Sequence, residues 1–174
     1  MGSGNSPLYS GTNGGSQPYA ESYSVVRSEK MNDMADPDIY DPHTGYFHNP
    51  TATSLLESRD DRRFIFNGRS VDGNFTYVLD LEGNIIYGKR CNPNNPTKRS
   101  PHPTLIGGKD PRVQCAGMIL FSKGRIVSVN NHSGHFRPNI KSMKKVDEIL
   151  SKAYNENPQL FDKKSKWSQA NEHK

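Results

Sequence analysis

Two stretches of alternating apolar residues, each turning back at a glycine, constrain the fold of this chain more than any other feature. The first covers residues 74–90 and turns near Gly83, and the second covers residues 116–131 and turns near Gly124. A period of two around a short glycine-containing turn is typical of an antiparallel hairpin. The sequence therefore predicts two β-hairpins.

A different period follows Pro138. Apolar residues recur there at intervals of three or four, which indicates an amphipathic helix, and Asn139 is a suitable N-cap. These residues are Ile140, Met143, Val146, Ile149, Leu150 and Ala153. We therefore expect an α+β fold, with an antiparallel sheet of four or five strands and a C-terminal amphipathic helix packed on one face.

Composition bears on the domain boundaries. Apolar residues make up 32% of the chain, against about 45–50% in typical globular domains. The deficit is concentrated at the N-terminus, where glycine, serine and asparagine dominate. We predict a flexible Gly/Ser-rich linker over residues 1–24 and one domain over 25–174. Prolines interrupt residues 25–50, so we expect this segment to be mostly irregular, with one helical turn at most.

Charge is unevenly distributed along the chain. The net charge is −6 over residues 1–88, +11 over residues 89–145, and zero over the remainder. A basic block of this kind suits a phosphate-bearing ligand such as RNA, and it equally suits an acidic protein partner. No apolar run is long enough to span a bilayer, so we expect no membrane span.

The segment NNHSGHFRP, residues 130–138, concentrates polar side chains between the second hairpin and the helix. If the strand continues as extended chain beyond Val129, then Asn131, Ser133 and His135 project to one side. Gly134 permits close approach of a ligand, and Arg137 can bind phosphate. The sequence thus predicts the floor of a site here.

A second segment, RSPHPTLIGG, supplies His102 between two prolines. Thr104 lies two residues on and points the same way if the segment is extended. Two histidines can act as acid and base without a metal ion. We predict His102, His135 and Ser133 as catalytic residues for attack of an RNA 2′-hydroxyl on the adjacent phosphate, without a cofactor. The predicted substrate-binding residues are Thr104, Arg137, Arg99, Lys98 and Gly134.

The stretch from residue 102 to residue 138 also resembles a known family. It is similar to a pattern in C-terminal toxin domains of bacterial polymorphic toxins, which also occurs in plant IQ-motif calmodulin-binding proteins. The matching residues are His102, Thr104, Gly108, Ala116, Gly117, Ser133, Gly134, His135 and Pro138. This chain departs from the pattern at Pro103-Thr104, where a Ser-Ser pair is commoner, and at Phe136, where tyrosine is commoner. No IQ motif is present, so calmodulin binding does not carry over.

The resemblance implies a secreted antibacterial effector that acts in the cytoplasm of a target cell and has a cognate immunity protein. An acidic immunity protein would match the basic segment. Two alternatives to a ribonuclease remain open. An NAD-dependent ADP-ribosyltransferase would use His102 and Thr104, although Glu148, its candidate glutamate, lies on a predicted helix. A non-enzymatic interaction module would use the basic surface alone.

Overall fold

The computed structural model describes residues 16–48, 53–89, 91–92, 95–99 and 101–172. For residues 91–92, 95–99 and 171–172 it describes the backbone alone. The predicted linker therefore falls largely outside the described residues, and so do the side chains of Lys98, Arg99 and Cys91.

The described secondary structure is mostly short strands, with three α-helices. The strands are β1 Tyr23–Ser24, β2 Tyr40–Asp41, β3 Tyr46–Phe47, β4 Thr53–Ser54, β5 Ile65–Phe66, β6 Arg69–Ser70, β7 Gly73–Leu79, β8 Ile85–Gly88, β9 Cys91–Asn92, β10 Asn95–Arg99, β11 Arg112–Val113, β12 Cys115–Ser122 and β13 Arg125–Val129. The α-helices are α1 Arg27–Met34, α2 Met143–Glu156 and α3 Lys166–Glu172. Short 3-10 helices cover Leu55–Glu57, His102–Leu105, Ile140–Ser142 and Pro158–Leu160.

A five-stranded antiparallel sheet organises the fold, in the order β13-β12-β7-β8-β4. Both predicted hairpins are confirmed as β7–β8 and β12–β13. The second hairpin turns at Lys123 and Gly124, which both have positive φ. Positive φ at both turn residues gives a turn whose twist matches that of the flanking strands. The predicted α+β class is therefore confirmed.

The two faces of this sheet carry separate apolar clusters. Odd-numbered residues such as Tyr77 and Cys115 belong to the large cluster, which the apolar stripe of α2 covers. Even-numbered residues such as Val78 and Ala116 belong to a smaller cluster on the opposite face. We call these the α2 face and the β1 face, because Tyr23 of β1 packs in the smaller cluster.

The C-terminal helix follows the predicted period. Met143, Val146, Leu150 and Ala153 are buried in it, and the Asn139 side chain accepts a hydrogen bond from the Lys141 amide at 3.0 Å. Asn139 caps a 3-10 turn that leads into α2 rather than α2 itself.

The domain begins before the predicted boundary at Val25. Tyr23 pairs with Val113 and is 2% exposed, and its hydroxyl lies 2.8 Å from Ser142 Oγ. The Gln17 side-chain amide donates to the Phe136 carbonyl at 2.6 Å. Residues 17–24 therefore contact the domain. Their composition did not indicate these contacts, because the residues that they touch are distant in sequence.

Candidate functional site

The chain does not continue as an extended strand after β13. Residues 134–136 form a turn that is closed by the Arg137 amide donating to the Ser133 carbonyl at 2.7 Å. The Phe136 amide also donates to Ser133 Oγ at 3.3 Å. The expectation that Asn131, Ser133 and His135 share one strand face is therefore wrong, because the serine hydroxyl and a left-handed Arg137 (φ +44°) stabilise a turn instead.

This turn places His135 against a carboxylate from α1. His135 Nε2 lies 3.1 Å from Asp33 Oδ1 and 3.0 Å from Oδ2, with hydrogen-bond geometry to Oδ1 alone. His135 is 6% exposed and Asp33 is 1% exposed. A carboxylate buried to this degree requires a donor, and the histidine supplies it.

A more exposed ion pair flanks this hydrogen bond. Glu29 Oε1 lies 3.8 Å from His135 Nε2, and Glu29 Oε2 lies 3.9 Å from Arg137 Nη2. The Arg137 Nε atom donates to the Gly134 carbonyl at 3.0 Å, which fixes the guanidinium over the turn. The four side chains form a polar cluster, which we call the α1 cluster: Glu29, Asp33, His135 and Arg137.

The acidic members of the α1 cluster were not predicted from the sequence. The structure shows an eight-residue helix where we expected one turn at most. Glu29 and Asp33 are four residues apart, so a helix places both carboxylates on one face. That spacing was a usable signal, but α1 buries no apolar side chain, so the hydrophobic pattern did not reveal the helix.

His102 lies on the 3-10 helix and not on an extended segment. Its Nε2 donates to the Gly117 carbonyl at 2.7 Å, and the ring is 6% exposed. Thr104 Oγ1 donates to the Pro101 carbonyl at 2.6 Å. The expected extended geometry is wrong because Pro101 and Pro103 favour the first turn of a helix as readily as an extended chain.

The two histidine segments pack on the same face of the sheet. Leu105, which follows Thr104, and Phe136, which follows His135, both belong to the apolar cluster of the β1 face. Gly117 is a contact point for both segments. A Cβ atom at Gly117, an odd-numbered position on the α2 face, would lie 1.9 Å from the Asn130 carbonyl oxygen, so the chain leaving β13 first crosses Gly117 on the α2 face.

The Tyr77 hydroxyl fixes the start of the loop that leads to His135. It donates to the Asn130 carbonyl at 2.7 Å and lies 3.8 Å from Cys115 Sγ. Burial raises the pKa of the Cys115 thiol to about 12 and also raises the pKa of the Tyr77 hydroxyl. Cys115 is a protonated core thiol at neutral pH, and it is not an activated nucleophile.

The ordered site thus differs from the predicted one. Ser133, Gly134, His135 and Arg137 share one turn, and His102 and Thr104 lie on a neighbouring segment of the same face. Within the described residues, no group of three or more histidine, cysteine and acidic side chains is placed to hold a metal ion.

The comparisons with known proteins provide no relative. No family model, curated protein or solved structure matches this chain. Among the described residues, no helix is long and apolar enough to cross a membrane.

The geometry disfavours the NAD-consuming alternative. Glu148 is exposed on α2, which covers the α2 face, whereas His102 and Thr104 belong to a segment packed on the β1 face. The sheet separates these side chains. The His102–Thr104 element is also helical, and not the strand that this alternative assumed.

Proposed function

We propose that this chain is a metal-independent ribonuclease domain of a secreted antibacterial toxin, with His135 as its general base. The observation that carries the proposal is the pairing of His135 Nε2 with the buried carboxylate of Asp33 at 3.0–3.1 Å. A carboxylate at one ring nitrogen fixes the tautomer, orients the ring and stabilises the imidazolium that forms when the other nitrogen accepts a proton.

The proton-transfer atom in this arrangement is Nδ1 of His135. It accepts the proton of the RNA 2′-hydroxyl while the 2′-oxygen attacks the adjacent phosphorus. The bond from phosphorus to the 5′-oxygen breaks, and a 2′,3′-cyclic phosphate forms. His102, on the neighbouring segment, is the proposed acid: its imidazolium keeps the Nε2 hydrogen bond to the Gly117 carbonyl and gives its Nδ1 proton to the leaving 5′-oxygen, so atoms and charges balance without a metal ion.

The surrounding groups have distinct parts in this proposal. Arg137, whose side chain is 38% exposed, presents its remaining guanidinium donors to the phosphate. Ser133 shapes the turn and can donate its hydroxyl hydrogen to a phosphate oxygen. Thr104 positions His102, because its own hydroxyl hydrogen is directed to the Pro101 carbonyl. We include Arg137 and the predicted Lys98 and Arg99, whose side chains lie outside the described part of the chain, among the contacts to the RNA backbone, whereas Lys141 and Lys144 of the same basic segment lie on the other face of the sheet.

The competing proposal is a non-enzymatic module in which the His135–Asp33 pair only attaches α1. The Val26 amide donates to the His135 carbonyl at 2.7 Å, so this turn has a structural reason to exist. The two proposals differ in what a conservative change at His135 does to RNA cleavage when the fold is retained.

The test is cleavage of a fluorescent single-stranded RNA by the purified full chain in excess EDTA. We expect fragments with 2′,3′-cyclic phosphate ends and no cleavage of DNA of the same sequence, which lacks the 2′-hydroxyl. His135→Gln should lower the rate about 10²–10⁴-fold. His43→Ala, at an exposed histidine of β2–β3, is the matched control and should retain full activity.

Thermal unfolding of each variant shows whether it folds. Intact RNA after incubation with the folded wild type would contradict the proposal. Undiminished cleavage by a folded His135→Gln variant would do so as well. A secreted toxin should also arrest bacterial growth when expressed inside the cell, and a cognate immunity protein, expected to be acidic, should relieve the arrest.

A further inference from the structure

An apolar groove of about 830 Å³ lies on the α2 face, on the other side of the sheet from the histidines. Its floor consists of Val127 and Val129 of β13, Ile140 of the 3-10 turn before α2, Met143 at the start of α2, and Trp167 of α3. Val127, Val129 and Ile140 are half-buried, so part of their apolar surface faces solvent. An exposed apolar patch with a polar rim is typical of a protein-binding or ligand-binding site.

The rim of the groove is cationic. Four exposed lysines line it, and Asp147 is the acidic residue among the lining side chains. The lysines are Lys141, Lys144, Lys164 and Lys166. Lys166 Nζ pairs with Asp147 Oδ1 at 2.8 Å. The rim therefore carries a net charge of about +3, which favours an acidic occupant.

One wall of the groove is an edge strand. β13 is the outermost strand of the five-stranded sheet. Its first half is already covered, because Phe161 bridges Ile126 in parallel and the Asp162 amide donates to the Ile126 carbonyl at 2.8 Å. The groove begins at the next residue, Val127, and continues past the exposed Ser128 to Val129. An added strand would continue the pairing that Phe161 begins.

We propose that this groove binds an extended acidic segment of a protein partner, which adds to the edge of β13 and alternates apolar and acidic side chains. The apolar side chains pack on the half-buried Val127, Val129 and Ile140, and the acidic side chains meet the lysine rim. The first fifteen residues of this chain contain no acidic residue, so they do not match the rim in charge. The proposal is independent of the ribonuclease activity, because the groove shares no residue with the α1 cluster.

Trp167 provides a direct probe, since it is the single tryptophan of the sequence and lines the groove. The experiment titrates the full chain with the peptide Gly-(Glu-Val)₄-Gly and follows tryptophan emission. Two control peptides are Gly-(Lys-Val)₄-Gly, of opposite charge, and Gly-(Glu-Pro)₄-Gly, which has the same charge but cannot form a strand. We expect saturable binding of the first peptide alone, weakening as salt is raised.

Charge reversal at the rim tests the location. Lys141→Glu combined with Lys144→Glu should weaken binding roughly tenfold. Lys152→Glu, an exposed change on α2 outside the groove, is the control and should leave affinity within about twofold. Circular dichroism confirms that each variant folds.

Four results would overturn the proposal. In the first, the acidic peptide fails to bind, and in the second, the proline peptide binds equally well. In the third, laurate changes the emission when no peptide does, which assigns the groove to a small anionic amphiphile. In the fourth, sedimentation shows a dimer that the lysine reversals dissociate, which assigns the groove to a second copy of this chain.

Discussion

At the scale of single residues, Gly117 is the most constrained position in the site. It accepts the His102 hydrogen bond and leaves room for the Asn130 carbonyl, whose oxygen would lie 1.9 Å from a Cβ atom. In Gly117→Ala the new Cβ atom would clash with backbone atoms of Asn130 and Asn131. A change of side-chain rotamer cannot remove this clash, so the backbone has to move. We expect this substitution to lower the free energy of unfolding by about 3 kcal/mol or more.

Gly134 is the matched control for this change. It lies in the His135 turn, but no heavy atom would be within 4 Å of its Cβ atom. Gly134→Ala should alter stability by about 0.5 kcal/mol or less. Urea unfolding of both variants measures the difference. Equal stability of the two alanine variants would show that the loop does not cross Gly117 as described.

At the scale of elements, α1 is attached to the domain by polar contacts. Asp33 is its buried residue, while Met31 and Met34 are 62% and 47% exposed. Removing one partner of a buried hydrogen bond to a charged group is destabilising, so Asp33→Asn and His135→Gln should each lower the free energy of unfolding by about 2 kcal/mol. The loss of free energy of unfolding in the double variant should be smaller, by at least about 1 kcal/mol, than the sum of the losses in the two single variants. The second substitution removes the side chain that the first had left without its partner.

The matched control for this cycle is Glu29→Gln. Glu29 lies on the same helix face, 3.8 Å from His135 Nε2, but its side chain is 28% exposed. We expect a cost of about 1 kcal/mol or less. Urea unfolding gives the energies, and amide exchange over residues 27–34 shows whether α1 opens. Strictly additive costs for Asp33 and His135 would contradict the direct pairing.

The same elements show what the sequence could and could not predict. The hairpins and α2 were predictable because their apolar periods are local, and each is anchored in one large cluster around residues such as Tyr77 and Leu150. α1 was missed because its position depends on a contact between Asp33 and His135, 102 residues apart. The 3-10 helix at His102 was missed because its proline-flanked sequence suits two conformations, and the contact with Gly117 selects one.

At the scale of the whole molecule, the sheet separates two surfaces with different chemistry. The β1 face carries the histidine segments, whereas the α2 face carries the lysine-rimmed groove. A partner bound in the groove would therefore not cover His135 directly. The ribonuclease proposal and the partner proposal can therefore be tested independently of each other.

Residues 16–24 connect the two surfaces. Tyr19 lines the groove, while Tyr23 packs on the β1 face and its hydroxyl accepts a hydrogen bond from the Asn139 amide at 3.2 Å. The segment is thus a structural part of the domain, although its composition resembles a linker. Removing it should expose the β1 face and release the start of α2.

Two truncations isolate that contribution. A chain lacking residues 1–24 should be less stable than a chain lacking residues 1–15 by about 3–5 kcal/mol, the usual cost of losing a buried aromatic side chain. Tyr23→Phe in the full chain keeps the ring and removes the hydroxyl, so it should cost about 1–2 kcal/mol. Urea unfolding measures all three. If the two truncated chains were equally stable, Tyr23 would contribute nothing to the fold. The predicted start of the domain at Val25 would then be correct.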